Sequence, residues 1–269
     1  MRLLRIEFFK LKNTKYFWVL SALFALMLLA IPYTADKFVS LINEGGETIA
    51  GMEGLSLPFF DFVDIWQNLY WIIKFFSIFL GFIMVISVTN DIGYGMMKQN
   101  VIDGMSRREY LHSKVLMAVA LSLTFTLISA LVILFVGYRF SPVTEIEFVF
   151  EHIEFVPAYF VHLIAFQLFC MAVALLIKRS GITIAFLLFY VYMIEPILAQ
   201  LMLYNWNMGA IAEFLPVNAI NNIIRFPFYK YGLMETQTTV DPMDLTILIG
   251  FGIGFYLLNR HLLTRRDLT

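Results

Sequence analysis

Residues 90–114 read Asn-Asp-Ile-Gly-Tyr-Gly-Met-Met-Lys-Gln-Asn-Val-Ile-Asp-Gly-Met-Ser-Arg-Arg-Glu-Tyr-Leu-His-Ser-Lys, a polar island between two long apolar segments. Apolar residues recur in it at i, i+4 and i+8, the spacing of one helix face: Met97, Val101 and Met105. Polar residues fall on the other face: Lys98, Gln99 and Asp103. Because glycines bracket the segment, the pattern predicts a short amphipathic helix over 94–105.

The composition is that of an integral membrane protein. Of the 269 residues, 60% are hydrophobic and 14% are charged, whereas a soluble domain carries about 25% charged residues. Crossing ~30 Å of hydrocarbon takes about 20 apolar helical residues. Six segments approach that length, at roughly 16–33, 69–89, 115–137, 157–177, 182–203 and 243–258. We therefore predict one all-α transmembrane domain over residues 1–269, with six spans.

The positions of lysine and arginine predict how the spans are oriented, because cytoplasmic flanks carry the excess of positive residues. With both termini in the cytoplasm, most of the 19 lysines and arginines fall in four cytoplasmic segments, at 2–15, 98–114, 178–179 and 260–266. The external segments hold Lys37, Arg139, Arg225 and Lys230. The bias predicts a multi-pass protein of the plasma (cytoplasmic or inner) membrane.

Residues 2–15 precede the first span and are basic and amphipathic. Their apolar stripe consists of Leu4, Phe8 and Leu11, and the basic face of Arg2, Arg5 and Lys12. A helix of this kind lies in the headgroup layer of a membrane. We predict an N-terminal interfacial helix, and a simple positively charged topology anchor is the alternative.

Two charged residues fall inside predicted spans, where charges are rare and often functional. Lys74 lies ~7 Å below the outer end of the second span, and Glu195 lies ~12 Å below that of the fifth. Since opposite charges at similar depth reduce each other's burial cost, we hypothesise an ion pair, within one subunit or across a dimer. Pro196 predicts a kink beside it. The alternatives are a snorkelling lysine and a protonated glutamate that is hydrogen-bonded locally.

Several functional motifs are absent from the sequence. It contains no G-x-x-x-x-G-K-[ST], H-E-x-x-H or G-x-S-x-G pattern, so we predict no ATP site, no catalytic residues and no metal ligands in this chain. The basic residues flank membrane spans instead of forming one patch, which argues against nucleic-acid binding. His162 is the histidine predicted at membrane depth, with no serine or cysteine obviously paired to it.

The 90–114 segment resembles the first cytoplasmic loop of ABC-2 type transporter permeases. That loop has an acidic residue, a glycine four residues later, a Ser-Arg pair and a lysine that opens the next span. The matching positions here are Asp91, Gly95, Ser106, Arg107 and Lys114. The family usually has glutamate at the first of these positions and threonine at the position of Met96.

The resemblance implies a permease subunit with short external or re-entrant helices between spans five and six. It implies two cytoplasmic ABC ATP-binding subunits as partners, which bind ATP and Mg²⁺, and a second permease subunit, most simply an identical copy. The 94–105 helix would dock on the ATPase as a coupling helix. The residues expected at that contact are Asp91, Gly95, Met97, Val101, Asp103, Met105, Ser106, Arg107 and Arg108.

Export is the direction that the family implies, and no cofactor is expected in this chain. The 28 Phe and 13 Tyr residues could line a path for a lipid, glycolipid or hydrophobic peptide, or pack against membrane lipid. The alternative function is a secondary transporter or an intramembrane enzyme that acts without an ATPase. No internal repeat is evident that would favour the first of these.

Overall fold

The computed structural model describes residues 2–46, 59–227, 237 and 239–265, and these residues contain helices and connecting turns but no β-strand. The long helices are α2 (Lys15–Gly46), α3 (Phe62–Ile73) continued by α4 (Ser77–Gly93), α6 (Arg107–Phe140), α8 (Phe155–Ile177), α9 (Ser180–Phe189) continued by α10 (Glu195–Tyr204), and α13 (Pro242–Arg265). The short helices are α1 (Arg2–Lys12), α5 (Met96–Ile102), α7 (Ile146–Val149), α11 (Gly209–Ala212) and α12 (Pro216–Asn221).

The described part of the chain has six helices that are long and apolar enough to cross a membrane. They cover Lys15–Thr34, Phe62–Gly93, Arg107–Phe140, Phe155–Ile177, Ser180–Tyr204 and Pro242–Thr264. The predicted number and order of spans are confirmed. The second and third helices extend beyond the predicted 69–89 and 115–137, because polar residues at their ends, such as Asn68 and Lys114, are buried inside the bundle.

Helix α8 is the centre of the bundle and packs against α4, α6 and α13. Its span is 72% buried, whereas the first, fifth and sixth spans are 22%, 17% and 22% buried. Close approach of α4 to α8 requires Gly81, since a Cβ there would lie 2.7 Å from the Cys170 sulfur. The single cysteine therefore has a packing role at this contact.

Two spans contain local departures from α-helix. A 3₁₀ turn, Lys74–Phe76, joins α3 to α4, and a π-helical turn, Tyr190–Ile194, joins α9 to α10. The π turn lies directly before Glu195 and Pro196, where the sequence predicted a kink. Turns of this kind are frequent at functional sites.

The bundle has two ends. We call the end that holds α1, α5 and the last turn of α13 the terminal end. Here Arg107, at the start of α6, contacts the Leu263 and Thr264 carbonyls of α13. The far end holds α7, α11 and α12. There the Trp66 indole of α3 donates to the Val149 carbonyl of α7 at 2.9 Å, and the Phe62 N–H donates to Ser141 Oγ at 3.2 Å.

Candidate functional site

The segment between α4 and α6 contains the short helix α5, which is shorter than the helix predicted over 94–105. Gly95 has φ of 69° and Gly104 has φ of 90°, in the left-handed region that glycine adopts most readily. Because these backbone angles are not helical, Gly95 separates α4 from α5, and Gly104 lies outside the helix. The apolar pattern continues to Met105, but the backbone leaves the helix first.

The apolar face of α5 packs against the chain's own bundle. Met97 is 8% exposed, and Met105 is half-buried against the core. Among the described side chains of this segment, the exposed apolar ones are Tyr94 and Ile102, which are 78% and 77% exposed. Met97 was expected at a partner contact, whereas its side chain is covered within the subunit; the Val101 side chain lies outside the described residues.

Polar residues around α5 divide into exposed and internally engaged groups. Asp103 is exposed and accepts a hydrogen bond from Gln99 Nε2 at 3.0 Å, and Arg108 is exposed. Ser106 is the N-cap of α6: its hydroxyl accepts from the Glu109 N–H, and its own N–H donates to the Glu109 carboxylate at 2.7 Å. This reciprocal pair is a capping box that fixes the start of the helix.

Arg107 contacts the end of the last span instead of pointing outward. Its Nη1 donates to the carbonyl oxygens of Leu263 and Thr264, at 2.9 Å each. These carbonyls belong to the last described turn of α13, near the negative end of the helix dipole. Arg107 was expected at the ATPase contact; within this chain it joins the third span to the sixth.

The terminal end contains a buried charge cluster formed by Glu7 of α1, Asp91 of α4 and Lys114 of α6. Lys114 is 0% exposed, and its Nζ lies 2.7 Å from Glu7 Oε2 and 2.7 Å from Asp91 Oδ2. The same ammonium donates to Ser87 Oγ at 2.8 Å. One lysine therefore joins three helices through two carboxylates.

Two further side chains complete the cluster. Tyr110 donates its hydroxyl proton to Asp91 Oδ2 at 3.1 Å. Lys10 lies 3.5 Å from Asp91 Oδ1 and 3.6 Å from Glu7 Oε1. With two lysines and two carboxylates, the cluster has no net formal charge. Removing one partner of such a buried group leaves an uncompensated charge, which is strongly destabilising.

The cluster accounts for two acidic residues, Asp91 and Glu7. Asp91 was expected to contact an ATPase; within this chain its side chain is 2% exposed and its carboxylate is bound by Lys114 and Tyr110. Glu7 was not identified as a functional candidate. The buried face of α1 carries Glu7 and Leu11, at i and i+4, whereas Phe8, from the predicted apolar stripe, is 55% exposed. The sequence signal that could have identified Glu7 is that it is an acidic residue on an otherwise basic helix.

A second set of buried polar side chains surrounds α12 towards the far end. We call Lys74, His162 and Glu195 the α12 clamp. Lys74 is 8% exposed and donates from Nζ to the Ile224 carbonyl at 2.6 Å and to the Asn221 carbonyl at 3.2 Å. Because the helix begins at Phe62, Lys74 lies about 18 Å along it, farther from the helix start than the sequence-predicted span placed it.

Glu195 and His162 bind the same short segment. The Asn218 N–H, in the first turn of α12, donates to Glu195 Oε1 at 2.6 Å. His162 Nδ1 lies 3.0 Å from the Ile220 carbonyl, and since a carbonyl only accepts, Nδ1 carries the proton. Glu195 thus lies at the N-terminus of α12 and Lys74 at its C-terminal side, an arrangement that matches the helix dipole.

The predicted ion pair between Lys74 and Glu195 is absent from the described residues of this chain. The prediction used depth along each helix, and depth does not determine which way a side chain points. Helix α12 supplies backbone partners to both residues instead. The interpretation of Glu195 as a hydrogen-bonded carboxyl group is closer to the structure, although its partner is 23 residues away in sequence.

A cavity of about 330 Å³ lies beside the α12 clamp, between the second, fourth and fifth spans. Its polar lining residues are Lys74, Ser77, Tyr192 and Asn221. Tyr192 belongs to the π turn, and its hydroxyl donates to the Phe75 carbonyl at 2.6 Å. The irregular turns of both spans therefore border one cavity.

The fold defines a polytopic membrane protein with six candidate spans. Neither a family model nor a curated protein matches the chain. Among the described residues, no group of three or more His, Cys, Asp or Glu side chains could hold a metal ion. The candidate functional regions of the described chain are the α5 segment, the buried charge cluster and the α12 clamp.

Proposed function

We propose that this chain is the transmembrane subunit of an ATP-driven ABC-2 type transporter, acting as an exporter. The observation that carries the proposal is the link between α5 and the spans. Helix α5 follows Gly95, and Asp91, four residues before Gly95, is ion-paired to Lys114 at 2.7 Å. A displacement of α5 would therefore move α4 and α6 together.

The proposal places the terminal end in the cytoplasm. Support comes from the positive residues that surround α1, α5 and the end of α13, as expected for cytoplasmic flanks. The membrane would be the plasma (cytoplasmic or inner) membrane, with both termini cytoplasmic. In this orientation α1 is an interfacial helix with Phe8 and Phe9, 55% and 68% exposed, in the headgroup layer. Helices α11 and α12 are then the short external or re-entrant helices.

Two cytoplasmic ATPase subunits bind ATP and Mg²⁺, and their closure moves α5. ATP can shift the spans only through contacts that differ between two states. Among the described side chains, the surface available for such contacts includes Tyr94, Ile102, Asp103 and Arg108, which are all exposed. Asp91, Ser106 and Arg107 act as positioning residues for that surface, because their polar groups are engaged within the chain.

A second permease subunit, most simply a copy of this chain, completes the transporter. The peripheral fifth span, which is 17% buried, offers an apolar surface for that copy and for membrane lipid. Its exposed residues include Ile182, Phe189, Met193 and Ile197. The substrate would be a lipid, a glycolipid or a hydrophobic peptide that moves through the spans of the two subunits.

Purification of a tagged copy from native membranes in mild detergent tests this function. We expect a P-loop ATPase to co-purify in stoichiometric amount, with ATP hydrolysis. The variant carrying Ile102→Asp and Arg108→Glu should lose the ATPase, because both changed side chains are exposed beside α5. Ile146→Asp is the matched control, since Ile146 is 73% exposed at the far end. A chain that purifies alone, without hydrolysis, would contradict the proposal.

A secondary transporter is the second candidate function. The observation in its favour is the cavity beside Lys74, because charged residues that line cavities within spans often mark transport pathways. The same purification separates the two candidates, since a secondary transporter needs no ATPase.

A further inference from the structure

The two buried lysines of the spans differ in how their charge is neutralised. Lys114 is bound by two carboxylates, whereas the hydrogen-bond acceptors of Lys74 in the described chain are the neutral carbonyls of Asn221 and Ile224. An ammonium group has three N–H donors. Two carbonyls therefore leave one N–H donor without an acceptor, and although the Trp71 ring lies 5.9 Å from Nζ, the ammonium has no carboxylate counterion among the described residues. A buried ammonium without a counterion is stabilised when an anion binds beside it.

Space for an anion exists next to Lys74. The cavity of about 330 Å³ is lined by Lys74 itself and by Asn221. Ligand pockets range from about 300 to 1,000 Å³, so this volume suits a small charged group. An amide N–H₂ and an ammonium on one wall are donors that phosphate oxygens accept well.

The cavity also reaches the side of the bundle. Phe75 and Tyr192 line it and are 42% and 39% exposed, on the second and fifth spans respectively. Since these spans are apolar at this depth, the exposed rim faces hydrocarbon when the chain is in a membrane. A ligand with a phosphate group and an acyl tail can place the phosphate in the cavity and leave the tail in the lipid.

We propose that the cavity between Lys74, Asn221 and the π turn is a binding site for the phosphate group of an anionic ligand. The ammonium of Lys74 forms a charge-assisted hydrogen bond to a phosphate oxygen, and the Asn221 amide donates to a second oxygen. Phosphate can reach the site on a lipid or as a free ion. The site does not depend on coupling to an ATPase, so the proposal holds whether or not the function above is correct.

The test measures binding to the purified full-length protein in a neutral maltoside detergent by isothermal titration calorimetry. Dioctanoyl phosphatidylglycerol is the lipid probe, inorganic phosphate is the free-ion probe, and dioctanoylglycerol is the control with the same tails but no phosphate. Loss of one charge-assisted hydrogen bond weakens binding by about tenfold or more, and we expect this for Lys74→Met. Lys74→Arg keeps the charge and should restore most of the affinity. Arg139→Met removes an exposed positive charge outside the cavity and should leave binding unchanged.

A second variant protects the test against misfolding of Lys74→Met. Val191→Phe fills the cavity from the π turn and leaves Lys74 with both carbonyl partners, so we expect a folded protein that binds about tenfold more weakly. Competition by inorganic phosphate would show that free phosphate enters the site, and Lys74-dependent lipid binding without such competition would assign the phosphate to a lipid. Equal binding of dioctanoylglycerol, or unchanged lipid and phosphate binding in both Lys74→Met and Val191→Phe, would overturn the proposal.

Discussion

The buried charge cluster and the α12 clamp each contain a buried lysine, but they differ in whether carboxylates bind it. In the cluster, the buried Lys114 has two carboxylates at 2.7 Å. In the clamp, Lys74 is almost as buried, but its hydrogen-bond acceptors in the described chain are backbone carbonyls, with the Trp71 ring 5.9 Å from Nζ. Glu195, the carboxylate of this set, binds the other end of α12. In the cluster, opposite charges hold three helices together. In the clamp, Lys74 has no carboxylate partner among the described residues and can bind an anionic ligand in the adjacent cavity. From this comparison we propose that the terminal end transmits force and that the clamp binds a ligand.

Lys114→Met should produce the largest effect, because it leaves the carboxylates of Glu7 and Asp91 buried without their shared cation. Breaking a buried ion pair costs about 3–5 kcal/mol. The measurement is thermal unfolding of the purified protein in detergent, followed by tryptophan fluorescence. The control is Lys178→Met, an exposed lysine, for which we expect a change within about 0.5 kcal/mol. If Lys114→Met unfolds at the same temperature as the wild type, the cluster does not hold the helices together.

Lys74→Met should destabilise the protein less, because it leaves two neutral carbonyls without donors and no orphaned carboxylate. We expect a loss of about 2–3 kcal/mol from these unsatisfied acceptors, measured in the same unfolding assay. Exchanging the charges, as Lys74→Glu with Glu195→Lys, should not restore stability, since the two residues bind opposite ends of α12. Recovery in the exchanged double variant would instead support a direct ion pair, for example across a dimer.

Arg107→Ala and Arg108→Ala compare neighbouring arginines at the terminal end. Arg107→Ala removes two hydrogen bonds to the last turn of α13 and should cost about 1.5 kcal/mol, the lower value for hydrogen bonds of a charged, partly exposed group. Hydrogen exchange of the amides near the C-terminus of α13 should accelerate in this variant. Arg108 is exposed, so Arg108→Ala should leave exchange and unfolding unchanged. Similar exchange in the two variants would mean that Arg107 does not secure α13.

Ser106→Ala should give the smallest effect. The variant removes the N-cap acceptor of α6 and one half of the capping box, for an expected loss of about 1 kcal/mol. Ser106→Asp retains an acceptor and is expected to preserve stability in the unfolding assay. If the alanine and aspartate variants lose the same stability, capping does not explain the role of this residue.

The sequence predicted the features that depend on local pattern. Apolar runs of about 20 residues identify spans without any tertiary information, and the apolar spacing around Met97 indicated α5. The end of α5 was misjudged because the φ of Gly104 depends on the path that the chain takes into α6. The lengths of the second and third helices were underestimated because burial of polar residues such as Asn68 is decided by neighbouring helices.

The candidate sites were only partly predictable, for a physical reason. Glu7, Asp91 and Lys114 are separated by up to 107 positions in sequence, and their meeting depends on how three helices are rotated about their axes. A motif match selected Asp91 and Lys114 but assigned Asp91 to an external partner. Lys74 and Glu195 were correctly recognised as buried charges to be explained, but nothing in the spacing indicated that α12 would supply their partners.

Site-directed photocrosslinking tests the central claim, that α5 contacts an ATPase, most directly. The native Cys170 is fully buried, so a benzophenone maleimide can be attached at Ile102→Cys beside α5 or, as the control, at Ile146→Cys at the far end. After illumination of native membranes, we predict that the probe at position 102 crosslinks to a P-loop ATPase and that the probe at position 146 does not. Absence of an ATPase adduct at position 102, or equal adducts at both positions, would contradict the account.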